Sequence, residues 1–469
     1  MKPATRPIAR SHWQRQALKA EGQAEFRPAL QGDHATDVVI VGGGYCGMWT
    51  ALELRRRYPE MRITVLERDY CGSGASGRNA GYLLDLWPRF LLMQHLFGEA
   101  EAIRIGQVSS DAIIGIRNFC EEHGIQADFE QRGWLWGATC ERQAGLWFPM
   151  MDALSRHGIQ PFQELTVDEL HGKYALAGHV AGVLSPSSAT VQPALLARGL
   201  MRVALAQGIE IYEQSEMQSL KRGSHPEVIT DGGRVRAERV VLSMNAWGVR
   251  FQEIRRFIAV VRAEGAVTYP NPDLLSEIGW QNGPAITDSR VTVTNYRATP
   301  DGRVEFGKAG PIAAYGCNIS PAINESATRI PLIRQELISA VPSLAGLEPE
   351  MSWSGPIDRS YDGLPVFGFL DGYENVAFAC GFSGNGVGPT FFGGKILASL
   401  ASGAVDEWST LALVRKPLAT FPMEPFRSIG GKLVYSAVQK KDRAEHENNS
   451  VDMITRWFAS MAPTPLIPQ

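Results

Sequence analysis

The sequence has 469 residues, of which 44% are hydrophobic and 20% are charged, and its net charge is −3. This composition is ordinary for a globular protein of two or three domains. The small net charge gives no reason to expect a polyanionic partner such as nucleic acid, and no apolar stretch approaches the roughly 18 residues that a membrane-spanning helix needs.

Six cysteines are scattered along the chain without C-x-x-C or zinc-like spacing. This pattern favours reduced thiols in a cytoplasmic protein and predicts no metal site. The first 20 residues are basic and contain no acid, but they lack the apolar core of a signal peptide. We therefore interpret residues 1–35 as an N-terminal arm in preference to a transit peptide.

The N-terminal half opens with the pattern of a dinucleotide-binding unit. Thr36 to Val41 is a β-branched apolar run, which is typical of a buried parallel strand. Gly42, Gly44 and Gly47 follow as G-x-G-x-x-G, and a helical pattern starts at Tyr45. In such a unit Gly42 permits a tight turn, Gly44 lets the backbone approach a pyrophosphate, and Gly47 lets helix and strand pack closely.

A second predicted strand, Arg62 to Leu66, ends on Glu67, which lies 20 residues after Gly47. An acid at this distance can accept hydrogen bonds from the ribose hydroxyls of an adenosine. A glycine triplet alone is weak evidence, and a chance glycine turn is the alternative. Here strand, helix, second strand and terminal acid agree, so the sequence predicts dinucleotide binding.

The loop from Cys71 to Leu83 is rich in glycine, serine and alanine, with Arg78 and Asn79 as its polar residues. Because it directly follows the nucleotide-binding unit, we expect its backbone to contact the ligand, although a plain surface loop is the alternative.

The middle of the chain alternates helical and strand patterns. Phe90 to His123 is predicted helical, Gly133 to Thr139 a strand, and a helix starts at Pro193. Gly208 to Met217 is predicted as a strand, and Asp231–Gly233 as a hairpin that leads into a strand from Glu238 to Trp247. This order suggests that the first sheet is resumed after an interruption.

Val261 to Gly307 is predicted to be mostly strand, with a hairpin at Pro300–Gly302, and Glu325 to Ser343 is predicted helical. A second strand, glycine loop and helix unit then follows at Asn375–Ala379, Gly381–Pro389 and Phe391–Leu400. Beyond it the pattern is lost. We interpret residues 421–469 as a C-terminal tail, with the charge run Lys440 to Asn449 as solvated surface or linker.

These stretches together resemble the FAD-dependent amine and amino-acid oxidoreductases of the D-amino-acid oxidase/sarcosine oxidase type. Within that family the branch containing gamma-glutamylputrescine oxidoreductase is the most similar. The resemblance covers Val38 to about Gly403 and rests on these motifs: VVIVGGGYCGMWTALEL, LERDYCGSGASGRNAG, VVLSMNAW, YRATPDGRVEFG, YDGLPVFG and FACGFSGNGVG.

The resemblance implies an α/β (α+β overall) fold, in which a Rossmann-like FAD-binding domain is interleaved with a mainly antiparallel-sheet substrate domain. The FAD-binding domain is expected from residues 36–90, 185–255 and 350–420, and the substrate domain from residues 91–184 and 256–349.

It also implies which residues surround the FAD. The first cluster would hold the pyrophosphate and adenosine, the loop after Cys71 would run along the flavin, and the second glycine loop would lie under its pyrimidine end. A glycine loop at a helix start suits the negative charge of a reduced flavin. The expected residues are Gly42, Gly44, Tyr45, Cys46, Gly47, Glu67, Arg68, Gly74, Ala75, Ser76, Arg78, Asn79, Gly81, Met217, Asn245, Ala246, Trp247, Gly384, Asn385, Gly386 and Val387.

The sequence departs from the family at three positions. Asn385 stands where relatives often have histidine, so no titrating group is expected there. Met351 to Ser360 contains no cysteine for covalent attachment, which favours non-covalent FAD. Lys308 stands where many relatives have glycine. Lys308 could help O2 react, bind an acidic substrate, or be a surface lysine.

The implied reaction is flavin-dependent oxidation of a primary or secondary amine or an amino acid. Hydride transfer to FAD N5 gives an imine, and water hydrolyses it to an aldehyde or keto acid plus amine. Electrons then pass to O2, giving hydrogen peroxide, or to another acceptor. An NAD-dependent dehydrogenase and a non-catalytic flavoprotein subunit or sensor are the alternatives, and the sequence leaves the oligomeric state open.

Candidate catalytic residues are Lys308, Asn385 and Arg303. An arginine near the predicted hairpin or before the D-G-L-P turn could bind a carboxylate or phosphonate, with surface charge as the alternative. The further candidates for the substrate side are Arg297, Asp358, Arg359, Tyr361, Tyr82 and Trp87.

Overall fold

The computed structural model describes residues 8–22, 25–312, 315–321, 323, 327–447 and 449–462. These residues form two eight-stranded sheets, a two-stranded ribbon and the helices around them. The helices are α1 (His12–Ala20), α2 (Tyr45–Arg57), α3 (Phe90–Phe97), α4 (Glu99–Glu122), α5 (Phe148–Ser155), α6 (Pro193–Ala206), α7 (Gln252–Arg255), α8 (Pro272–Glu277), α9 (Ile330–Ala340), α10 (Pro389–Ser402), α11 (Phe426–His446) and α12 (Met453–Ser460).

The first sheet collects strands from both ends and the middle of the chain. Its central strands pair in parallel, as expected for a sheet that helices cover on its faces. The path runs β17-β18-β11-β1-β2-β8, and β10 and β9 extend it from β11. The strands are β1 (Gly32–Val41), β2 (Ile63–Leu66), β8 (Glu210–Tyr212), β9 (Ser219–Lys221), β10 (Glu227–Ile229), β11 (Gly233–Leu242), β17 (Val366–Leu370) and β18 (Tyr373–Cys380).

The turn between β1 and α2 confirms the close packing expected from its glycines. Gly42 has φ 114°, a conformation that L side chains rarely adopt, and a Cβ there would lie 2.5 Å from the Ser243 carbonyl oxygen. A Cβ on Gly47 would lie 2.0 Å from the Gly42 carbonyl oxygen. Helix α2 ends before Pro59, as predicted.

The second sheet is mostly antiparallel, with one parallel pair, β4 and β13. Its order is β16-β12-β15-β14-β13-β4-β6-β5, and the two-stranded ribbon pairs β3 with β7. The strands are β3 (Tyr82–Leu83), β4 (Trp134–Ala138), β5 (Gln163–Leu165), β6 (Ala181–Ser185), β7 (Ala189–Thr190), β12 (Ile258–Thr268), β13 (Ala285–Asp288), β14 (Thr294–Ala298), β15 (Val304–Ile312) and β16 (Pro349–Ser360).

Several predicted boundaries differ from the structure. The helix predicted over Phe90 to His123 is broken at Gly98, which has φ 83°. The strand predicted to reach Trp247 ends at Leu242, because 245–250 form a 3-10 turn. The FAD-binding segment predicted to start at residue 350 includes β16. In the structure, β16 pairs along its length with β12 in the second sheet.

The N-terminal arm is part of the core. Trp13 and Gln14 of α1 are buried, and Gln14 Nε2 donates to the carbonyl oxygens of Gly72 and Ser73 at 3.1 and 3.0 Å. Ser11 Oγ donates to the Gly77 carbonyl oxygen at 2.6 Å. The arm therefore fixes the glycine-rich loop that follows β2. Its residues 1–7 lie outside the described part of the chain.

The charge run Lys440 to Asn449 is not a linker, because most of it is helical, but its described side chains are mostly exposed or half-buried, as predicted for solvated surface. Residues up to His446 belong to α11, and Asp442 is buried against the loop between β13 and β14. Hydrophobic residues spaced along α11 were the signal for this helix. In the described residues, no helix combines the length and the apolar character that crossing a bilayer requires.

Candidate functional site

One cavity of about 800 Å³ runs between the two sheets and brings the two glycine clusters together. Gly42 and Gly44 line one part of it, and Gly384 to Val387 line another. Segments 340 residues apart in the chain therefore share one slot. This joining of the two clusters is the geometry that an extended dinucleotide cofactor requires.

At the first cluster, Glu67 lies at the carboxyl end of β2, with its side chain on the cavity wall. Its carboxylate oxygens accept from the backbone N–H groups of Gly43 at 2.8 Å and Asp69 at 3.0 Å. Burial raises the pKa of the Glu67 carboxyl to about 7, against the lowering effect of these two donors. Remaining lone pairs on the carboxylate can accept from ribose hydroxyls.

The loop after β2 is held by its own side chains. Ser76 Oγ accepts from the backbone N–H of Tyr45 at 2.9 Å, which ties the loop to the start of α2. Asn79 Oδ1 accepts from the Gly81 N–H at 2.8 Å. Arg78 is buried and donates to the Ser73 carbonyl oxygen, and burial lowers the pKa of its guanidinium to about 10. The loop is therefore preorganised along the cavity.

Most of the residues predicted to bind the cofactor line this cavity. Arg68 lies 4.3 Å from the ring centre of Trp247, and both face the cavity. Gly47, Gly81 and Ala246 do not line it. Gly47 permits the close packing of α2, a Cβ on Gly81 would lie 2.0 Å from the Val191 carbonyl oxygen, and Ala246 is fully buried in the core.

The second glycine loop is anchored by Asp358 of β16. Its carboxylate accepts from the Gly381 N–H at 2.6 Å and from Asn245 Nδ2 at 3.1 Å. Burial raises the pKa of Asp358 to about 7, while backbone donors of the loop act in the opposite direction. This aspartate, proposed for the substrate side, therefore joins the loop before α10 to the turn after β11.

The second sheet walls the other side of the cavity with residues that the sequence did not single out. Asn295 of β14 and Glu305 of β15 line it, and Asn295 Nδ2 donates to Glu305 Oε2 at 3.3 Å. Glu305 is 2% exposed, and burial raises the pKa of its carboxyl to about 8. Strand alternation over Val304 to Lys308 was the only available signal for this residue.

Lys308 is not a surface lysine, so that alternative is wrong. The residue is 6% exposed and Nζ donates to Glu336 Oε2 at 2.6 Å and to Thr294 Oγ1 at 3.2 Å. Alternation along β15 puts its side chain on the face opposite Glu305. The residue borders the cavity, but Glu336 of α9 matches its charge.

Arg303 lies outside the cavity, contrary to its proposed catalytic place. It forms ion pairs with Asp301 and Glu350 at the β14–β15 hairpin. Of the other substrate-side candidates, Arg359 and Tyr82 line the cavity. Arg297 instead donates to the Ala80 and Val191 carbonyl oxygens, Tyr361 packs on Phe421, and Trp87 donates to Ser110 Oγ.

The cavity fits an FAD molecule on structural grounds. A Cβ on Gly384 would meet only Ile357 at 3.6 Å, and one on Gly74 only Trp247 at 3.8 Å, so bare backbone faces open space at both places. The start of α2 offers a positive dipole end beside this space. A buried acid at one end, a helix start and a second glycine loop match the adenosine, pyrophosphate and flavin of FAD.

Comparison with known proteins agrees with this geometry. The family described as FAD dependent oxidoreductase (DAO) matches residues 37–400. A probable oxidoreductase, OrdL, from Haemophilus influenzae is 26% identical over 403 residues, covering 84% of this chain and 89% of the relative. The gamma-glutamylputrescine oxidoreductase of Escherichia coli is 25% identical over 379 residues, covering 80% and 86%.

Solved structures show the same fold. A crystal structure of glycine oxidase from Geobacillus kaustophilus superposes with a TM-score of 0.64 and 23% identity, covering 81% of this chain and 99% of that one. The NAD-dependent alternative is therefore set aside, because the family that matches most of the chain uses FAD. The chain belongs to the DAO family of FAD-dependent oxidoreductases.

Proposed function

We propose that this enzyme oxidises the carbon–nitrogen bond of a small amine or amino acid. The observation that carries the proposal is the single cavity, which combines two glycine clusters at one side with a sheet bearing Asn295 and Glu305 at the other. Relatives named for gamma-glutamylputrescine and for glycine support an amine or amino-acid substrate.

When bound, the flavin would accept a hydride from the carbon next to the nitrogen and pass the electrons to O2 or to another acceptor. Glu67 would hold the adenosine ribose, and Gly42 and Gly44 would allow the pyrophosphate to approach the start of α2. Arg68, Trp247 and the loop from Gly74 to Asn79 would line the rest of the slot. Gly384 to Val387 would contact the redox end.

The protein's own contribution is to bind and orient the amine and to exclude water. Apolar side chains of the loop between β13 and β14, Val291 and Val293, also line the cavity, and Val293 shares a small adjoining pocket with Asn385. Asn385 cannot titrate, whereas Glu305 on the opposite wall can hold or release a proton. Arg303 has no part in the proposal, because it lies outside the cavity.

The test is anaerobic mixing of the FAD-loaded enzyme with sarcosine, glycine, D-amino acids, putrescine derivatives and aminophosphonates. We expect the yellow absorbance to bleach with one class of amine. Return of colour with peroxide on admission of air identifies an oxidase, and bleaching without rapid return identifies an enzyme with a separate acceptor. A yellow protein that no amine bleaches would contradict the proposal and favour a non-catalytic flavoprotein.

A further inference from the structure

A small side pocket of about 30 Å³ opens beside the main cavity. Leu84, Thr287, Val293 and Asn385 line both spaces, so the side pocket adjoins the main cavity beside the second glycine loop. Its volume exceeds the ~10–15 Å³ that one water needs, so it can hold a single ammonium head but no larger group.

Asp85 lies in the wall of this pocket and is 2% exposed. Its Oδ1 accepts from the Trp87 backbone N–H at 3.2 Å. Its Oδ2 is buried and, among the described residues, receives no hydrogen bond. Leaving a buried carboxylate oxygen without a donor is costly, and such an atom in a cavity wall indicates that a ligand supplies the donor.

Asp85 forms no ion pair with a cationic side chain of the described residues, although Arg89 borders the same pocket. In the part of the chain that the structure describes, no Lys, Arg or His nitrogen lies within 4 Å of its carboxylate. Arg89 also borders the pocket, but its guanidinium lies beside Gly363. Arg359 and Asp362 are the charges that act on the pKa of Arg89, which burial lowers to about 9.

Glu264 and Glu305, buried carboxylates of the second sheet, also line the main cavity. Glu264 is occupied by Arg262 and by the backbone N–H groups of Thr328 and Arg329, and Glu305 is the weaker candidate. The Glu305 carboxylate already accepts a hydrogen bond from Asn295 Nδ2 at 3.3 Å. It also faces the main cavity, which is much wider than a single ammonium group. Asp85 closes a pocket of the right size and has a free acceptor oxygen. Burial raises its pKa to about 7, as expected for a carboxylate that lacks a cation.

We propose that the side pocket is an ammonium subsite, in which Asp85 Oδ2 accepts a hydrogen bond from an alkylammonium group of the substrate. This inference rests on the proposed amine oxidation and assigns the substrate as a cationic alkylamine bound through its nitrogen. The group held is either the reacting nitrogen, which binds as an ammonium and releases one proton to solvent before the hydride leaves the neighbouring carbon, or a second ammonium of a diamine. Asp85 acts here as a binding residue.

The probe is tert-butylamine, which is a cation near neutral pH and has no hydrogen on the carbon next to nitrogen. It therefore cannot be oxidised at that carbon, so any spectral change reports binding alone. Titration into the FAD-loaded enzyme is followed by the change in the flavin absorption spectrum, with neutral tert-butanol as the reference. The variants are Asp85→Asn and, as a matched loss of charge on the surface of α4, Asp111→Asn.

We expect wild-type enzyme to bind tert-butylammonium roughly tenfold or more tightly than tert-butanol, and Asp85→Asn to abolish this preference. Asp111→Asn should retain it. Wild-type affinity for the cation should also rise as pH increases through about 7, because Asp85 then ionises. Equal affinity of the wild-type enzyme for the two probes would overturn the assignment, and this measurement does not need the variant. If Asp85→Asn is obtained and keeps the preference for the cation, that result also overturns the assignment.

Substrate kinetics separate the two sources of the ammonium. A rise in KM for monoamines and diamines alike places the reacting nitrogen at Asp85, and a rise confined to diamines places the second nitrogen there. Failure of this inference is distinct from failure of the proposed function. An Asp85→Asn enzyme that amines bleach with unchanged KM refutes only the subsite, whereas a wild-type flavin that no amine bleaches refutes the amine oxidation itself.

Discussion

At the scale of single residues, the site depends on buried carboxylates whose surroundings differ. Glu67 and Asp358 accept from backbone N–H groups, and Glu305 accepts from a side-chain amide. Asp85 keeps an unused oxygen. Burial raises the pKa of each, yet only the groups with spare acceptor capacity toward the cavity can recognise a ligand. The distance of Glu67 from Gly47 predicted an acid at the end of β2, and the structure places that acid in the cavity wall.

Glu67→Gln tests the adenosine end. The amide keeps the size of the side chain but replaces one acceptor oxygen by an NH2 donor. Because both oxygens of Glu67 accept from backbone N–H groups, this donor would face another donor, the N–H of Gly43 or Asp69. We expect FAD affinity to fall roughly tenfold or more, as for loss of a hydrogen bond to a charged group. The folded-state pKa is raised, so wild-type Glu67 is protonated below about 7 and ionised above it. FAD affinity should therefore weaken as pH falls through that value.

Fluorescence titration of the apoprotein with FAD measures this affinity. Glu60→Gln, an exposed acid just before β2, is the control and should leave the affinity within about twofold of wild type. If Glu67→Gln binds FAD as tightly as the control, the carboxylate does not contact the cofactor.

At the scale of elements, helix α11 contacts two segments that line the cavity, although it lies beyond the family match. Asp442 accepts from the Val291 backbone N–H at 3.3 Å and from Thr292 Oγ1 at 3.4 Å, and Val291 lines the cavity. Arg427 donates to Cys317 Sγ at 3.2 Å, and Cys317 lines the cavity too. The helix therefore positions two loops that face the ligand.

Asp442→Ala should loosen the loop between β13 and β14 without touching the flavin slot. We expect faster hydrogen exchange in residues 289–293. Because the lost hydrogen bonds contribute about 1 kcal/mol, the KM should rise several-fold, and kcat should stay nearly unchanged. Asp442→Asn keeps one acceptor and should recover most of the affinity. A lower Tm with unaltered exchange and KM would show that Asp442 only stabilises the fold.

At the scale of the whole molecule, the two glycine units and their meeting around one cofactor were predictable, and the residues gathered at the other end of the cavity were not. The β1–α2–β2 unit and the loop at Gly384 have signals confined to short windows, because glycine and strand chemistry is local. The substrate end joins Asp85, Thr287 and Asn385, which come from three distant parts of the chain. Both sheets are needed to bring them together, because Thr287 lies on β13 of the second sheet and Asn385 follows β18 of the first sheet.

The way in which FAD is attached is a property of this assembled cavity. The six cysteines are all buried free thiols, and Cys46 and Cys317 are the two that line the cavity. Burial, reinforced by Asp358, raises the pKa of the Cys46 thiol far above its usual value, which suppresses the thiolate that attachment requires. Met351 to Ser360 contains no cysteine at all. We therefore expect FAD to be held only by non-covalent contacts.

Denaturing the yellow enzyme with acid and separating the precipitate tests this expectation. All of the flavin should remain in the supernatant, and dialysis of the unfolded protein followed by refolding with added FAD should restore the absorbance. Flavin retained on the precipitate would contradict the prediction. In that event Cys46→Ala and Cys317→Ala are compared. The variant whose flavin returns to the supernatant identifies the cysteine that carries it.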